Sequence, residues 1–233
     1  MKGIFIAVQQ IRSQQICFIT CLLFTLPAGA IDTQRQDVTQ FVADLVAENQ
    51  FDPDYVRSVL DRSQVQQSIL DAMSRPAEKV KPWHEYRDIF ITRERIMAGV
   101  KFYREHHRSL LRIEKETGVP PQMILGIIGV ESYFGRIVGR NRVVDALVTL
   151  GFDYPPRAKF FRGELEQAFL LSREENMNLE DLMGSYAGAM GPPQFIPSSY
   201  RAYAVDGDGD GKRDLISNWE DILASVANYF AAH

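Results

Sequence analysis

"GVPPQMILGIIGVESYFG", residues 118–135, is the stretch whose reading decides the fold. Pro121 can occupy the first turn of a helix without losing a needed hydrogen bond, and Gly135 can close it in a left-handed cap. One helix is therefore expected over roughly 121–134. Within it Ile124, Ile127, Ile128, Glu131 and Phe134 recur at the three-four spacing of a single face. That spacing puts Glu131 on the buried stripe. An ionised carboxylate there is costly unless paired, and the usual response is a raised pKa that keeps the group protonated near neutral pH. A carboxyl held protonated in an apolar cleft suits a general acid. The same position equally suits a glutamate that caps a backbone group or pairs with Arg136 or Arg140, and periodicity alone does not choose.

Outward from this helix, helical periodicity dominates and strand-like alternation is nearly absent, so the expected fold class is all-α, with small hairpins at most. Residues 36–48 place Phe41, Val42 and Leu45 on one face, and Pro53 opens a second helix just after Asp52. A third is expected over 65–73, and "SRPAEKVKPWHEY", 74–86, reads as a connector broken by Pro76 and Pro82. From Thr92 to about Thr117 runs one long amphipathic helix carrying Ile96, Val100, Tyr103, Leu110 and Leu111. Beyond the opening stretch come "RVVDALVTLGF", a helix in "RAKFFRGELEQAFLLSREEN" and a last helix from about Asn218 to Ala231.

Residues 1–30 have the layout of a secretory signal: Lys2 and Arg12, an apolar stretch from Ile16, and Ala28-Gly29-Ala30 as a cleavage context before Ile31. The apolar part is too short to span a bilayer comfortably. Cys17 and Cys21, the only cysteines, both fall inside it, in no context for lipid attachment. A soluble exported chain without disulfide or thiolate chemistry is expected. Removing Lys2 and Arg12 from the 26 Lys and Arg leaves 24 basic against 30 acidic residues, a net charge of about −6, and with no basic stripe nucleic acid is not an expected partner.

Two further stretches carry chemistry. "GSYAGAMGPPQFIPSSY", 184–200, combines small residues with Tyr186, Phe195 and Tyr200. Small residues allow close approach of backbone or ligand, aromatic faces offer apolar area to sugar rings, and Ser185 and Gln194 can hydrogen-bond hydroxyl or acetamido groups. A tightly packed turn with its aromatics in the core fits equally well. "DGDGDGKRD", 206–214, matches the opening of a calcium loop, with Asp206, Asp208 and Asp210 at alternate positions and Gly211 at the sharp turn. Ser217 stands where the usual closing Glu is expected, so a flexible acidic turn is the competing reading. His106 and His107 have no second ligand pair at metal spacing and read as surface or half-buried residues. "YPPRAKFFR" reads as a turn and helix start, and Trp83 as core.

Cleavage of a glycosidic bond is the reaction most naturally served by such an acid, because the leaving oxygen must be protonated as an oxocarbenium-like state develops. The usual scheme wants a second carboxylate about 5–9 Å away. Asp145 and Asp153 follow Glu131 but share no spacing with it, so either a long-range partner exists or an N-acetyl group on the sugar takes that role.

"GVPPQMILGIIGVESYFG", "GSYAGAMGPPQFIPSSYRAYAVDGDGDG" and "SVANYFAAH" resemble, in order, signature blocks of the membrane-bound lytic transglycosylase B family, bacterial enzymes that cut the glycan strands of peptidoglycan. The resemblance runs from about Trp83 to His233 and implies a lysozyme-like helical core at 83–233 behind a helical N-terminal segment at 31–82. It implies that Glu131 acts first as acid and then as base on the bond between N-acetylmuramic acid and N-acetylglucosamine. The muramyl acetamido group would stabilise the anomeric carbon, and the 6-hydroxyl would close a 1,6-anhydro ring. Tyr86, Ser185, Gln194, Phe195 and Tyr229 would line the sugar subsites. The resemblance also implies a structural Ca2+ in a loop at 206–221, held by Asp206, Asp208 and Asp210 and closed by Glu220 or, as alignment from "SVANYF" favours, Asp221. Expected partners are peptidoglycan strands and other cell-wall enzymes, met by a monomer in the periplasm. Family members continue beyond the point corresponding to His233, so a shortened C-terminus is expected, with a glycan-binding remnant or a hydrolytic muramidase as alternative functions.

Overall fold

Residues 29–74 and 81–233 are described by the computed structural model. The signal segment expected over 1–30 lies outside them except for Gly29 and Ala30. The described chain runs through α1 (Gln36–Asn49), α2 (Pro53–Asp61), α3 (Gln67–Ser74), α4 (Trp83–Phe90), α5 (Arg93–Thr117), α6 (Pro121–Ser132), β1 (Asn141–Arg142), α7 (Val143–Asp153), α8 (Ala158–Glu174), β2 (Met183–Gly184), α9 (Pro197–Tyr203) and α10 (Trp219–Ala232). The only sheet among the described residues is the antiparallel pair β1–β2, so the expected all-α class holds. No described helix is long and apolar enough to cross a membrane.

The helix α7 organises the core because it has no solvent face: every residue from Val143 to Phe152 is buried. A helix apolar nearly all round must be enclosed, and α8 packs along it with Phe161, Leu165, Phe169 and Leu171. Two buried polar residues of α7 fasten the N-terminal helices to it. Asp145 accepts from the Gln64 N–H at 3.0 Å, and the Thr149 hydroxyl accepts from the Gln66 N–H at 3.0 Å, holding the strap between α2 and α3. Apolar residues of α1 and α2 then continue one core that reaches through α6 to α10.

Three expectations are corrected here. Of the stripe expected on α5, only Leu110 is buried; Ile96, Val100, Tyr103 and Leu111 are exposed, and the covered face is Phe102, Leu110 and Ile113. The helix carries two apolar faces, and packing against α6 and α10 selects one. Trp83 is 70% exposed and opens α4 inside what read as a connector, rather than entering the core. The helix expected to reach 134 ends at Ser132, because Tyr133 (φ 52°) and Phe134 (φ 57°) turn left-handed before Gly135 does.

That early turn is held by local hydrogen bonds and by tertiary packing. The Ser132 hydroxyl donates to the Ile128 carbonyl at 3.2 Å and accepts from the Gly135 N–H at 3.0 Å. The Phe134 ring fills the space left by Gly99 and Gly129, where an added Cβ would meet it at 2.9 and 3.0 Å. It also lies 5.3 Å from the Phe102 ring.

Candidate active site

Glu131 stands on the last turn of α6, one residue before the chain leaves the helix. Ile124 and Ile128 are fully buried, but Glu131 is exposed and Ile127 only half-buried, which corrects the expected burial of the whole stripe. The face is apolar because it is the wall of an open cavity of about 370 Å³. Ile127 and Glu131 of α6, Gln194 and Phe195 of the loop before α9, Ser199 of α9 and Tyr229 of α10 line it, with Val226 and Phe230 beside them.

Within that lining Glu131 is the sole carboxylate. It makes no hydrogen bond or ion pair among the described residues; Arg136 and Arg140, the partners a structural glutamate would have used, are not engaged with it. Water reaches the side chain, yet the protein around it displaces enough solvent to hold its pKa above the ordinary glutamate value, with burial as the sole cause. The two observations describe one environment, a carboxyl at the foot of an apolar wall with an open front. Such a group retains its proton to higher pH than a surface glutamate and has it free to give.

The loop opposite is fixed from behind. Gly184, Met190 and Phe195 form successive antiparallel bridges, with the Met190 N–H on the Phe195 carbonyl at 2.8 Å and the reverse bond at 3.1 Å. Gly191 (φ 64°) approaches so closely that a Cβ there would sit 2.0 Å from the Leu215 carbonyl oxygen, which no side chain survives. Buried Glu164 of α8 accepts from the Ser198 N–H at 3.0 Å and its hydroxyl at 2.7 Å, fastening the start of α9. The loop thus presents Gln194 and Phe195 to Glu131 on a rigid support. The Gln194 side-chain amide donates to the Gly191 and Val138 carbonyls at 2.9 and 3.3 Å. That leaves its Oε1, an acceptor, without a donor among the described residues. Phe195 packs against Tyr229 with ring centroids 5.7 Å apart.

The remaining expected subsite residues lie elsewhere. Ser185 turns its hydroxyl inward to accept the Ala187 and Ala189 N–H groups at 3.2 and 3.1 Å, and it is outside the cavity lining. Tyr86 sits on α4, its ring 6.2 Å from Trp83 and 5.3 Å from Phe90, with no wall of this cavity formed by it. Tyr200 is fully buried and its hydroxyl bonds the backbone of Arg213 and Leu215, so it is core and not a sugar platform. His106 is half-buried between Phe102 and Trp219, and that burial lowers its pKa. Sequence reasoning missed Ser199, Val226 and Phe230. The last two were legible, since Val226, Tyr229 and Phe230 stand at three- and four-residue steps on α10.

In the acidic loop one carboxylate oxygen each from Asp206, Asp208 and Asp210 lies within 4.8 Å of the others. Asp206 accepts the Gly209, Asp210 and Gly211 N–H groups at 2.7, 3.1 and 2.8 Å. Those bonds, the one from Gly211 first, hold its pKa below the ordinary range. The two candidates for closing the loop lie in different surroundings. Glu220 faces α5, bonded to Ser109 and, at 2.9 Å, to Arg112. Asp221 is fully buried at the loop's base and accepts from the Gly207 and Asp214 N–H groups, both at 2.7 Å. Burial and the neighbouring Asp208 and Asp206 push its pKa up. Hard oxygen donors crowded in this way fit a calcium ion.

Comparison with known proteins gives the class. A family model described as the transglycosylase SLT domain matches residues 33–233, and the chain belongs to that family. It is 43% identical over 216 residues to membrane-bound lytic murein transglycosylase B of Escherichia coli K12, covering 88% of this chain and 59% of that protein. The crystal structure of the soluble lytic transglycosylase SltB1 from Pseudomonas aeruginosa superposes with a TM-score of 0.81 at 54% identity, over 83% of this chain and 65% of that one. The Escherichia coli lytic transglycosylase Slt35, solved in complex with bulgecin A and in complex with calcium, gives 0.82 at 41%, over 89% of this chain and 66% of that one. The lysozyme-like helical fold expected from the sequence is the fold of these enzymes.

Proposed function

We propose that this chain carries the acid-bearing core of a peptidoglycan lytic transglycosylase in which Glu131 is the sole acid and base. The observation that carries the proposal is the single unpaired carboxylate in a cavity walled by an aromatic pair and by side-chain amide and hydroxyl groups. Hydrolysis in the usual two-carboxylate manner lacks its second residue there. A substrate with its own 2-acetamido group does not need one.

In this reading the β-1,4 bond between N-acetylmuramic acid and N-acetylglucosamine lies against Glu131. The protonated carboxyl gives its proton to the leaving glycosidic oxygen as the C1–O bond breaks, and the acetamido oxygen of the muramyl residue takes the anomeric carbon. The Glu131 carboxylate then removes the proton from the muramyl 6-hydroxyl, whose oxygen bonds to C1 and displaces the acetamido oxygen. The product ends in a 1,6-anhydro ring, and Glu131 returns to its starting protonated state. Phe195 and Tyr229 supply apolar faces to the sugar rings, and Gln194 Oε1 accepts from an acetamido N–H or a hydroxyl.

Around that centre, Asp206, Asp208 and Asp210 with Asp221 would hold a structural calcium ion, which would fasten the loop entering α10 and so the helix that carries Tyr229. A secretory signal over 1–30, read from the sequence, and a peptidoglycan substrate would both suit a periplasmic protein. Product analysis tests the chemistry. Muropeptides released from purified peptidoglycan should show 1,6-anhydromuramic ends by mass spectrometry, and Glu131→Gln should release none. Reducing-end products would replace this mechanism with hydrolysis, and binding without products would leave a glycan-binding module.

A further inference from the structure

α6 ends in an unusual way for a helix that carries an acid: Tyr133, Phe134 and Gly135 follow Glu131 and Ser132 in three consecutive left-handed conformations, with φ of 52°, 57° and 79°. For the two non-glycine residues this costs on the order of 1–2 kcal/mol each. Such a turn persists only where its surroundings over-determine it. Phe134 is secured by its packing against Gly99, Gly129 and Phe102, whereas Tyr133 is secured by charge. The guanidinium centres of Arg95 and Arg136 both lie 4.8 Å from the centroid of its ring.

Arg95 is the notable member of the pair. It sits on the first turn of α5, its guanidinium is also 5.4 Å from the Phe90 ring, and its Nη1 is buried with no hydrogen-bond partner among the described residues. Leaving a charged donor unsatisfied costs about 1–3 kcal/mol or more. An arginine serving only solubility would turn that nitrogen to water. Phe90 in turn packs on Tyr86 at 5.3 Å, so a continuous ladder, Tyr86–Phe90–Arg95–Tyr133, runs from α4 to the turn that ends the acid's helix.

We infer that Arg95 is a positioning residue for Glu131, acting through the Tyr133 ring to hold the last turn of α6 against the cavity wall. The inference rests on Glu131 being the acid. Arg95 does not act as an ion partner, since it forms no salt bridge with Glu131 and burial is the sole cause of the displaced Glu131 pKa. The other residues lining the cavity, Ser199 of α9 and Val226, Tyr229 and Phe230 of α10 among them, carry no charge, and Arg136 and Arg140 after α6 form no ion pair with Glu131 among the described residues.

The test is a double-mutant cycle of Arg95→Met and Tyr133→Leu, read by turnover of peptidoglycan and by 13C NMR titration of the Glu131 carboxyl. Each single variant should lower kcat roughly ten- to hundredfold with KM within about twofold, as misplacement of a catalytic group does, and the double variant should be no worse than the poorer single. Losses that multiply, or an Arg95→Met enzyme within twofold of wild type, would overturn the inference. The titration decides independently of turnover, because the two possible actions of Arg95 have opposite signs. A loosened turn admits water and moves the Glu131 pKa down toward the ordinary range, whereas loss of a nearby cation moves it up; a rise, or no change, would overturn the inference. Full turnover by Glu131→Gln would instead dismiss the proposed mechanism, leaving the titration to judge the positioning alone.

Discussion

Glu164 on α8 and Glu131 on α6 are both glutamates in apolar helices, and the molecule treats them in opposite ways. Glu164 is 5% exposed and spends its oxygens on the Ser198 N–H and hydroxyl. Asp145, 3% exposed, is likewise occupied, by the Gln64 N–H and the Arg142 guanidinium. Glu131, at the edge of the same core, has an open front and no protein partner among the described residues. A carboxylate that serves the fold has its lone pairs filled by the fold, because leaving them empty in a dry interior is expensive. The one left empty faces a cavity, where a substrate can fill them.

That contrast can be broken from either side, and thermal melting measures it on one scale. Glu164→Ala should have the largest effect, since it orphans two Ser198 donors and opens a cavity. A loss of roughly 3 kcal/mol, or about 6–12 °C in Tm for a chain of this size, is expected. A melting point within a degree of wild type would remove Glu164 from the set of structural carboxylates. Next in size is calcium. If Asp206, Asp208 and Asp210 with Asp221 form its site, calcium at about a hundred times its Kd should stabilise by about 2.7 kcal/mol, and Asp210→Asn should abolish most of that gain. A Tm indifferent to calcium in wild type would sink the assignment.

The smallest effect carries the opposite sign. With its folded pKa raised by burial, the Glu131 carboxyl favours the folded state while protonated, below the unfolded value of an ordinary glutamate. That contribution is lost as pH rises through the folded value, so at neutral pH the ionised side chain works against folding. Glu131→Gln should therefore raise Tm at pH 7 by about a degree or two, discounted for the water that reaches the group, with the gain vanishing below about pH 4. Equal gains at both pH values would show that the carboxylate is not held against its preference.

Much of this arrangement was legible in the residues, and the parts that were not share a cause. Phe41, Val42 and Leu45 on α1, Pro53 at the start of α2, Thr92 capping α5 and Pro121 opening α6 behave as local rules require. Periodicity marked Glu131 as lying on an apolar face, yet it read that face as covered, because the wall of an open cavity and the face of a core have the same spacing. The same ambiguity misassigned Ile96, Val100, Tyr103 and Leu111 on α5. The end of α6 escaped for a different reason: no local propensity makes Tyr133 and Phe134 left-handed, and distant residues, Arg95, Gly99, Phe102 and Gly129, pack around them. The different surroundings of Glu220 and Asp221 follow from their places on the first turn of α10, which the loop's own spacing does not announce; Asn218 caps that turn, its side chain accepting from the Glu220 N–H at 3.0 Å.

The central claim is that one unpaired carboxylate performs both proton transfers. The most direct measurement is the turnover of purified peptidoglycan by Glu131→Gln, made on protein shown by melting to be at least as stable as wild type. We expect a loss of at least about a thousandfold, in line with removal of a general acid that also serves as base. Turnover within tenfold of wild type by a folded Glu131→Gln protein would contradict the account.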